Sequence, residues 1–201
     1  MKNRKFSSHF ILKPDGTLGR WPVIEFSDKG EVLSVLYDSE NLIEQPSMEF
    51  YGGLLLPGFI DVSVGITLDE KSLNRHYIAG TFIICDTKNI SHQSFKQKHP
   101  PYIYSSSSSE HNDYFDDEHS CPLFERIKKM LSANNQLSLI ELLHQATEVN
   151  AERVGISHLA GSLTKGLYPG LLVMENIDLT TFEFTQKTRV RWLCNQLGIR
   201  K

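Results

Sequence analysis

Cysteine is scarce in this chain: there are three in 201 residues, Cys85, Cys121 and Cys194, widely spaced and odd in number. That spacing excludes a disulfide framework and a zinc-finger pattern, and it points to reduced thiols in a cytoplasmic setting. Long apolar runs are missing too. Runs such as Leu54 to Leu56 and Phe59 to Ile60, interrupted by Pro57-Gly58, fall far short of the roughly 20 apolar residues that span a bilayer. Net charge is only −3, so bulk attraction to nucleic acid or anionic lipid is not expected. The basic start, Met1 to Lys5, is followed by Phe6-Ser7-Ser8-His9 rather than an apolar segment, so no signal peptide is expected. No internal repeat, glycine-rich phosphate loop or local Ser/His/Asp arrangement is spelled out.

What is present is a chain with ordinary apolar content (40%) and ordinary charge (22%), long enough to bury a real core. The first fifty residues read as short strands separated by turns. Candidate strands are His9 to Leu12, Trp21 to Phe26 and Glu31 to Tyr37; Pro14-Asp15-Gly16 and Ser27-Asp28-Lys29-Gly30 are the turns. Gly53 to Val64 reads as a buried extended segment, Leu68 to Ala79 as a helix, and Phe82 to Cys85 and Tyr102 to Tyr104 as short strands. Residues 105–120, with five serines in a row, read as an exposed loop.

Two amphipathic helices follow. Pro122 opens one whose apolar face is Leu123, Phe124, Ile127, Met130 and Leu131. Ser138 with Glu141 forms a capping box for the next, with Leu139, Ile140, Leu142, Leu143, Ala146 and Val149 inward and His144 at its border. Gly161 to Lys165, Leu171 to Met174 and Thr181 to Thr185 read as strands, and Thr188 to Leu197 as a closing strand or helix.

Three segments, in order, resemble the amidohydrolase superfamily. Tyr51 to Val62 (YGGLLLPGFIDV) resembles the barrel entry, written apolar-Pro-Gly-apolar-Ile-Asp-x-His-x-His. Ala79 to Asp86 (AGTFIICD) resembles the second barrel strand. Ala146 to Gly155, then Gly161-Ser162-Leu163 with Gly166, then Pro169-Gly170-Leu171, resembles the closing signature in its deaminase-like form. The resemblance implies an α+β chain: a composite β-sandwich from residues 1–52 and 161–201, beside an incomplete (β/α) barrel in residues 53–160. Those 108 residues hold three or four strand–helix units at roughly 30 each, where a full barrel needs roughly 250.

The same resemblance fixes the motif positions Pro57, Gly58, Asp61, Ser63 and Gly65. The family carries metal-binding histidines at the last two; this chain carries serine and glycine, which cannot replace imidazole. No metal, cofactor or catalytic residue is therefore expected, and the leading expectation is a pseudoenzyme with a binding or scaffolding role. A partner is expected to cover the edges of an incomplete barrel, either a second copy in a homodimer or a related full-length protein. Two other readings stand beside it. One is a hydrolase of carbon–nitrogen bonds with a rebuilt or dimer-shared site, for which His111, Asp113 and His119 in the acidic loop are the metal-capable candidates. The other is a regulator of a full-length amidohydrolase. Asp61 itself reads as structural, Cys85 as a buried small residue, and the scattered histidines, His76 and His144 among them, as ordinary surface or partly buried ones.

Overall fold

A computed structural model describes residues 3–63, 69–86, 100–105, 115, 121–134 and 136–197. Six strands precede the first helix: β1 (Arg4–Leu12), β2 (Leu18–Arg20), β3 (Val23–Phe26), β4 (Val32–Leu36), β5 (Met48–Leu56) and β6 (Phe59–Ser63). Helix α1 (Glu70–Ile78) leads to β7 (Thr81–Asp86) and β8 (Tyr102–Ser105). Helix α2 (Leu123–Ala133) precedes α3 (Leu139–His144). A π-helical stretch, Gln145–Val149, joins α3 to α4 (Asn150–Arg153). Strands β9 (Leu171–Ile177) and β10 (Phe184–Cys194) are the last described elements.

Both ends of the chain build one seven-stranded sheet, ordered β10-β9-β5-β1-β3-β4 with β2 paired to β1. Only β1 and β5 run parallel within it. The turns follow from their residues. Asp15 Oδ1 accepts the Thr17 amide at 2.9 Å, and Gly16 takes φ +77. Ser27 Oγ accepts the amides of Lys29 and Glu31, and Gly30 takes φ +85. A second sheet, β6-β7-β8, is parallel throughout, as strands linked by crossover segments require.

Pro57-Gly58 carries the chain from the first sheet to the second. The Gly58 amide donates to the Pro169 carbonyl at 3.0 Å, so the two Pro-Gly pairs of the sequence lie side by side. A Cβ at Gly58 would stand 2.4 Å from Phe82 Cβ, closer than a side chain there allows. Strand β5 ends at Leu56, so residues 53–56 belong to the large sheet.

Helices α2 and α3 cover one face of the large sheet. Leu54, Leu56, Leu172 and Met174 meet Leu123, Ile127, Leu142 and Leu143 in one buried cluster. A second cluster joins Ile60, Val62, Ile83 and Cys85 of the parallel sheet to Ala151 and Val154. A third lies within the large sheet around Phe6, Ile24, Phe26 and Val173. Asp69 caps α1 by accepting the Ser72 amide at 2.8 Å, and Ser138 caps α3 by accepting the Glu141 amide at 3.5 Å.

One expected strand, and the first part of another, are not strands. Gly161 to Lys165 is not extended, because Gly161, at φ +107, lays its backbone against Ala151, and Ser162 bonds Thr164 side chain to side chain. Thr181 belongs to a turn held by Asp178, whose Oδ1 accepts the amides of Thr180 and Thr181; β10 begins only at Phe184. No described helix is long and apolar enough to cross a membrane.

Candidate functional site

Strand β6 alternates its side chains, so Ile60 and Val62 enter one apolar cluster while Phe59 and Asp61 point the other way. Helix α2 packs on that second face. The rings of Phe59 and Phe124 stack, 6.0 Å apart and 14° from parallel. Two residues on, Arg126 Nη2 forms an ion pair with Asp61 Oδ1. From α1, His76 Nδ1 stands 3.5 Å from Asp61 Oδ2. Asp61, His76 and Arg126 are all buried, none more than 2% exposed. Three charge-capable side chains from three separate elements thus converge inside the protein.

Arginine stays protonated in proteins, so burying Arg126 demands a counter-charge, and Asp61 supplies one. The same carboxylate acts on its neighbour Cys85. Burial, and then the Asp61 charge, push that thiol well above its usual range. Cys85 is accordingly an inert core residue rather than a nucleophile.

The closing segment reinforces β6 from its other side. Asn150 Nδ2 donates to the Ile60 carbonyl at 2.8 Å, and Thr147 Oγ1 donates to the Leu143 carbonyl at 2.7 Å inside the π-helical stretch. His144, half-buried, bonds the Pro14 carbonyl through Nε2 at 2.9 Å, which ties its helix to the β1–β2 turn. Burial raises the Glu148 carboxyl above its ordinary value, while the Ser162 hydroxyl pulls the other way.

Asp61 is thus held in a buried ion pair, and His76, read from sequence as an ordinary surface or partly buried histidine, is completely buried against it. Ser63 lies in β6, but Gly65 is outside the described residues, as are His111, Asp113 and His119. Arg126, His76 and Asn150 were the residues missed. Arg126 carried a signal: it lies three residues after Leu123 and four before Met130, within the apolar stripe of α2. A groove of about 370 Å³ opens between the α2–α3 and β9–β10 turns, lined by Leu131, Leu137, Ser138, Phe182 and Glu183 among others. None of the residues around Asp61 lines it.

The fold is similar to that of solved structures described as an amidohydrolase, a prolidase and an adenosine deaminase. An amidohydrolase from a Sargasso Sea environmental sample superposes with a TM-score of 0.60 at 8% identity, covering 98% of this chain and 92% of that one. A Bifidobacterium longum protein assigned as a prolidase gives 0.57 at 11% identity, with 97% and 96% covered. An adenosine deaminase from Xanthomonas campestris, with bound zinc, gives 0.54 at 8% identity, with 88% and 85% covered. At such identities the likeness is one of fold. The sequence matches no protein-family model and no curated protein.

The zinc of that deaminase raises the question of whether these residues fit a metal. The Asp61 carboxylate is already engaged by a guanidinium, whose positive charge opposes a divalent cation entering beside it. Serine and glycine stand at the two positions that the resemblance assigns to histidine ligands. Among the described residues no three His, Cys, Asp or Glu side chains gather as a metal site. Among the described residues the donor set at β6 does not fit.

Proposed function

We propose that this chain is a non-catalytic amidohydrolase-like protein with a binding or scaffolding role. The seven-stranded sheet is read as the family's composite sandwich, and the three parallel strands as the remnant of its barrel. One observation carries the proposal: the buried Arg126–Asp61 pair occupies the strand face on which the resemblance puts metal ligands. Without a metal nothing there lowers the pKa of an attacking water toward neutrality. The partner is read as a second copy or a related full-length protein. Leu36, Ile43, Phe50 and Ile78 are large apolar side chains exposed at the surface, which supports such a role.

Purification with zinc, iron and manganese supplied, followed by dialysis and elemental analysis, tests the proposal. The expected result is no stoichiometric metal. About one ion or more per chain sinks it in favour of a metal-dependent hydrolase of carbon–nitrogen bonds with a rebuilt site, and directs mutation to His111, Asp113 and His119. Light scattering on the same sample tests self-association, and a monodisperse monomer removes the second copy. Co-purification with an intact amidohydrolase would favour a regulatory role.

A further inference from the structure

We infer that a second copy of this chain docks on the uncovered end of the large sheet's helix-bearing face, a patch centred on Trp21 and Phe50. This interface deepens the binding role proposed above and rests on it.

Strand β5 alternates its side chains, so Phe50, Leu54 and Leu56 share one face of the sheet. Leu54 and Leu56 are buried among side chains of α2 and α3. Phe50 is 42% exposed, so the cover of those helices ends before it. The Trp21 ring stacks beside it, with centroids 6.3 Å apart and planes 30° from parallel. The His9 ring lies 5.5 Å from Trp21 and 5.3 Å from Phe50. The segment between β4 and β5 borders these rings. Ser39 Oγ donates to the Trp21 carbonyl at 3.0 Å, and Lys5 Nζ donates to Gln45 Oε1 at 3.0 Å. Leu42 and Ile43, both exposed, lie between those two anchors. Of the five large apolar side chains exposed among the described residues, four fall within residues 36–50. Contiguous apolar surface with an aromatic centre marks a protein-binding patch.

Trp21 is built into this surface at a cost. Its φ is +50, in the left-handed region that a bulky side chain rarely enters. Its amide donates to the His9 carbonyl at 3.1 Å, and its carbonyl accepts from Ser39, so the backbone is held there from both sides. Strain of this kind persists only where the surroundings impose it, and it concentrates at functional sites.

Charge selects the occupant. Arg20 precedes Trp21, and Lys5 lies on the Phe50 face, two residues along from the Ser7–Phe50 register pair. Glu40 and Glu44 flank Leu42 and Ile43. Among the described residues none of these four stands in an ion pair. The nearby acids Glu25, Asp38 and Glu49 are engaged by Asn3, Lys13 and Arg4. A partner of one sign would be repelled by two of the four. A second copy related by a twofold axis sets the basic strands of one protomer against the acidic segment of its partner, twice over.

Sedimentation equilibrium of the full chain tests this. The mass should rise toward twice that of one chain across about 1 to 100 µM. Ile43→Lys and Phe50→Lys, both at exposed positions, should each weaken association about tenfold or more while keeping the wild-type far-ultraviolet spectrum. A charge exchange reads the pairing itself. The double variants Glu40→Lys/Glu44→Lys and Lys5→Glu/Arg20→Glu should each stay monomeric alone and form a one-to-one heterodimer when mixed. A monomer at every concentration overturns the inference and leaves the patch to a different protein. A dimer unmoved by Ile43→Lys and Phe50→Lys overturns it too, as does a failure of the two exchanged chains to pair. Should Phe50→Lys not fold, Ile43→Lys and the mixing experiment decide. Stoichiometric metal in the wild type would overturn the non-catalytic reading alone, whereas a monomer would overturn this interface alone, so the two failures are told apart.

Discussion

The side-chain amide of Asn150 donates a 2.8 Å hydrogen bond to the backbone carbonyl of Ile60, ninety residues earlier in the chain. Among the described residues strand β6 ends the order of its sheet, so a carbonyl on its outer side has no strand neighbour there. Asn150 is wholly buried, and its own oxygen accepts from Arg153 Nη1 at 3.3 Å. One side chain thus satisfies a sheet edge and anchors the helix that follows α3.

Removing that donor leaves the Ile60 carbonyl buried and unpaired, which costs about 2 kcal/mol. Asn150→Ala should therefore lower the urea midpoint by a matching amount, without changing the slope of the transition. Asn150→Asp should lose more, because it removes the donor and places a carboxylate against a carbonyl. Equal stability of Asn150→Ala and the wild type would mean that water or another group satisfies Ile60.

Gly53 is the second point of close approach. It sits in β5 between β1 and β9 at φ +133, where a Cβ would lie 2.1 Å from the Met174 carbonyl oxygen. Its amide donates to His9 Nδ1 at 3.1 Å, just where the pairing of β1 with β5 shifts register. Gly53→Ala must push β9 away as well as adopt a strained backbone, so a loss above about 3 kcal/mol is expected. Gly155 is the control, with φ +76 and no atom within 4 Å of a built Cβ. There alanine should cost only about 1 kcal/mol, the backbone term alone. Urea unfolding of both variants separates the two contributions; similar losses would show that backbone strain dominates.

Much of this architecture is local and could be read in advance. Pro57-Gly58 marks the joint between the sheets and Pro169-Gly170 the entry to β9, and each glycine admits a close neighbour. Ser138 caps its helix as the Ser-x-x-Glu spacing implied. The order of seven strands in one sheet was not legible, since alternation says which face is buried and not which strand lies alongside. The ion pair was hidden for a similar reason. Asp61, His76 and Arg126 are separated by fifteen and fifty residues and meet only when α1 and α2 dock on β6. The Gly161 to Lys165 segment has strand-like residues, but contact with Ala151 turns it.

Cys85 offers a test of burial. It is fully enclosed by the parallel sheet's apolar cluster, and both burial and the Asp61 charge disfavour its thiolate. Cys194 is partly buried and its thiol is also pushed up by burial, while Cys121 is partly exposed. An Ellman titration of the native protein should label Cys121 first and leave Cys85 unreacted until the chain unfolds. Mass spectrometry of the labelled protein identifies the site, and early modification of Cys85 would show that its sheet opens readily.

Glu148 should give the protein a pH dependence of definite sign. Burial is the main cause of its raised carboxyl pKa, and the charge of Glu152 adds to it. The folded state then holds the proton more tightly than the unfolded chain, whose carboxyl keeps its ordinary value of 4.5. The stabilising contribution is therefore complete below that value and is lost as pH rises through the folded-state pKa. Asp15, Asp38, Glu49 and Asp178 shift downward and impose the opposite slope on total stability. The informative quantity is thus the difference between wild type and Glu148→Gln, not either curve alone. Glutamine has no proton to lose, so its advantage over the wild type should grow between about pH 4 and about pH 7. Melting temperatures of both proteins across that range measure it. A constant difference would mean that Glu148 titrates alike in the folded and unfolded chains, and that its contact with the segment at Ser162 carries no buried charge.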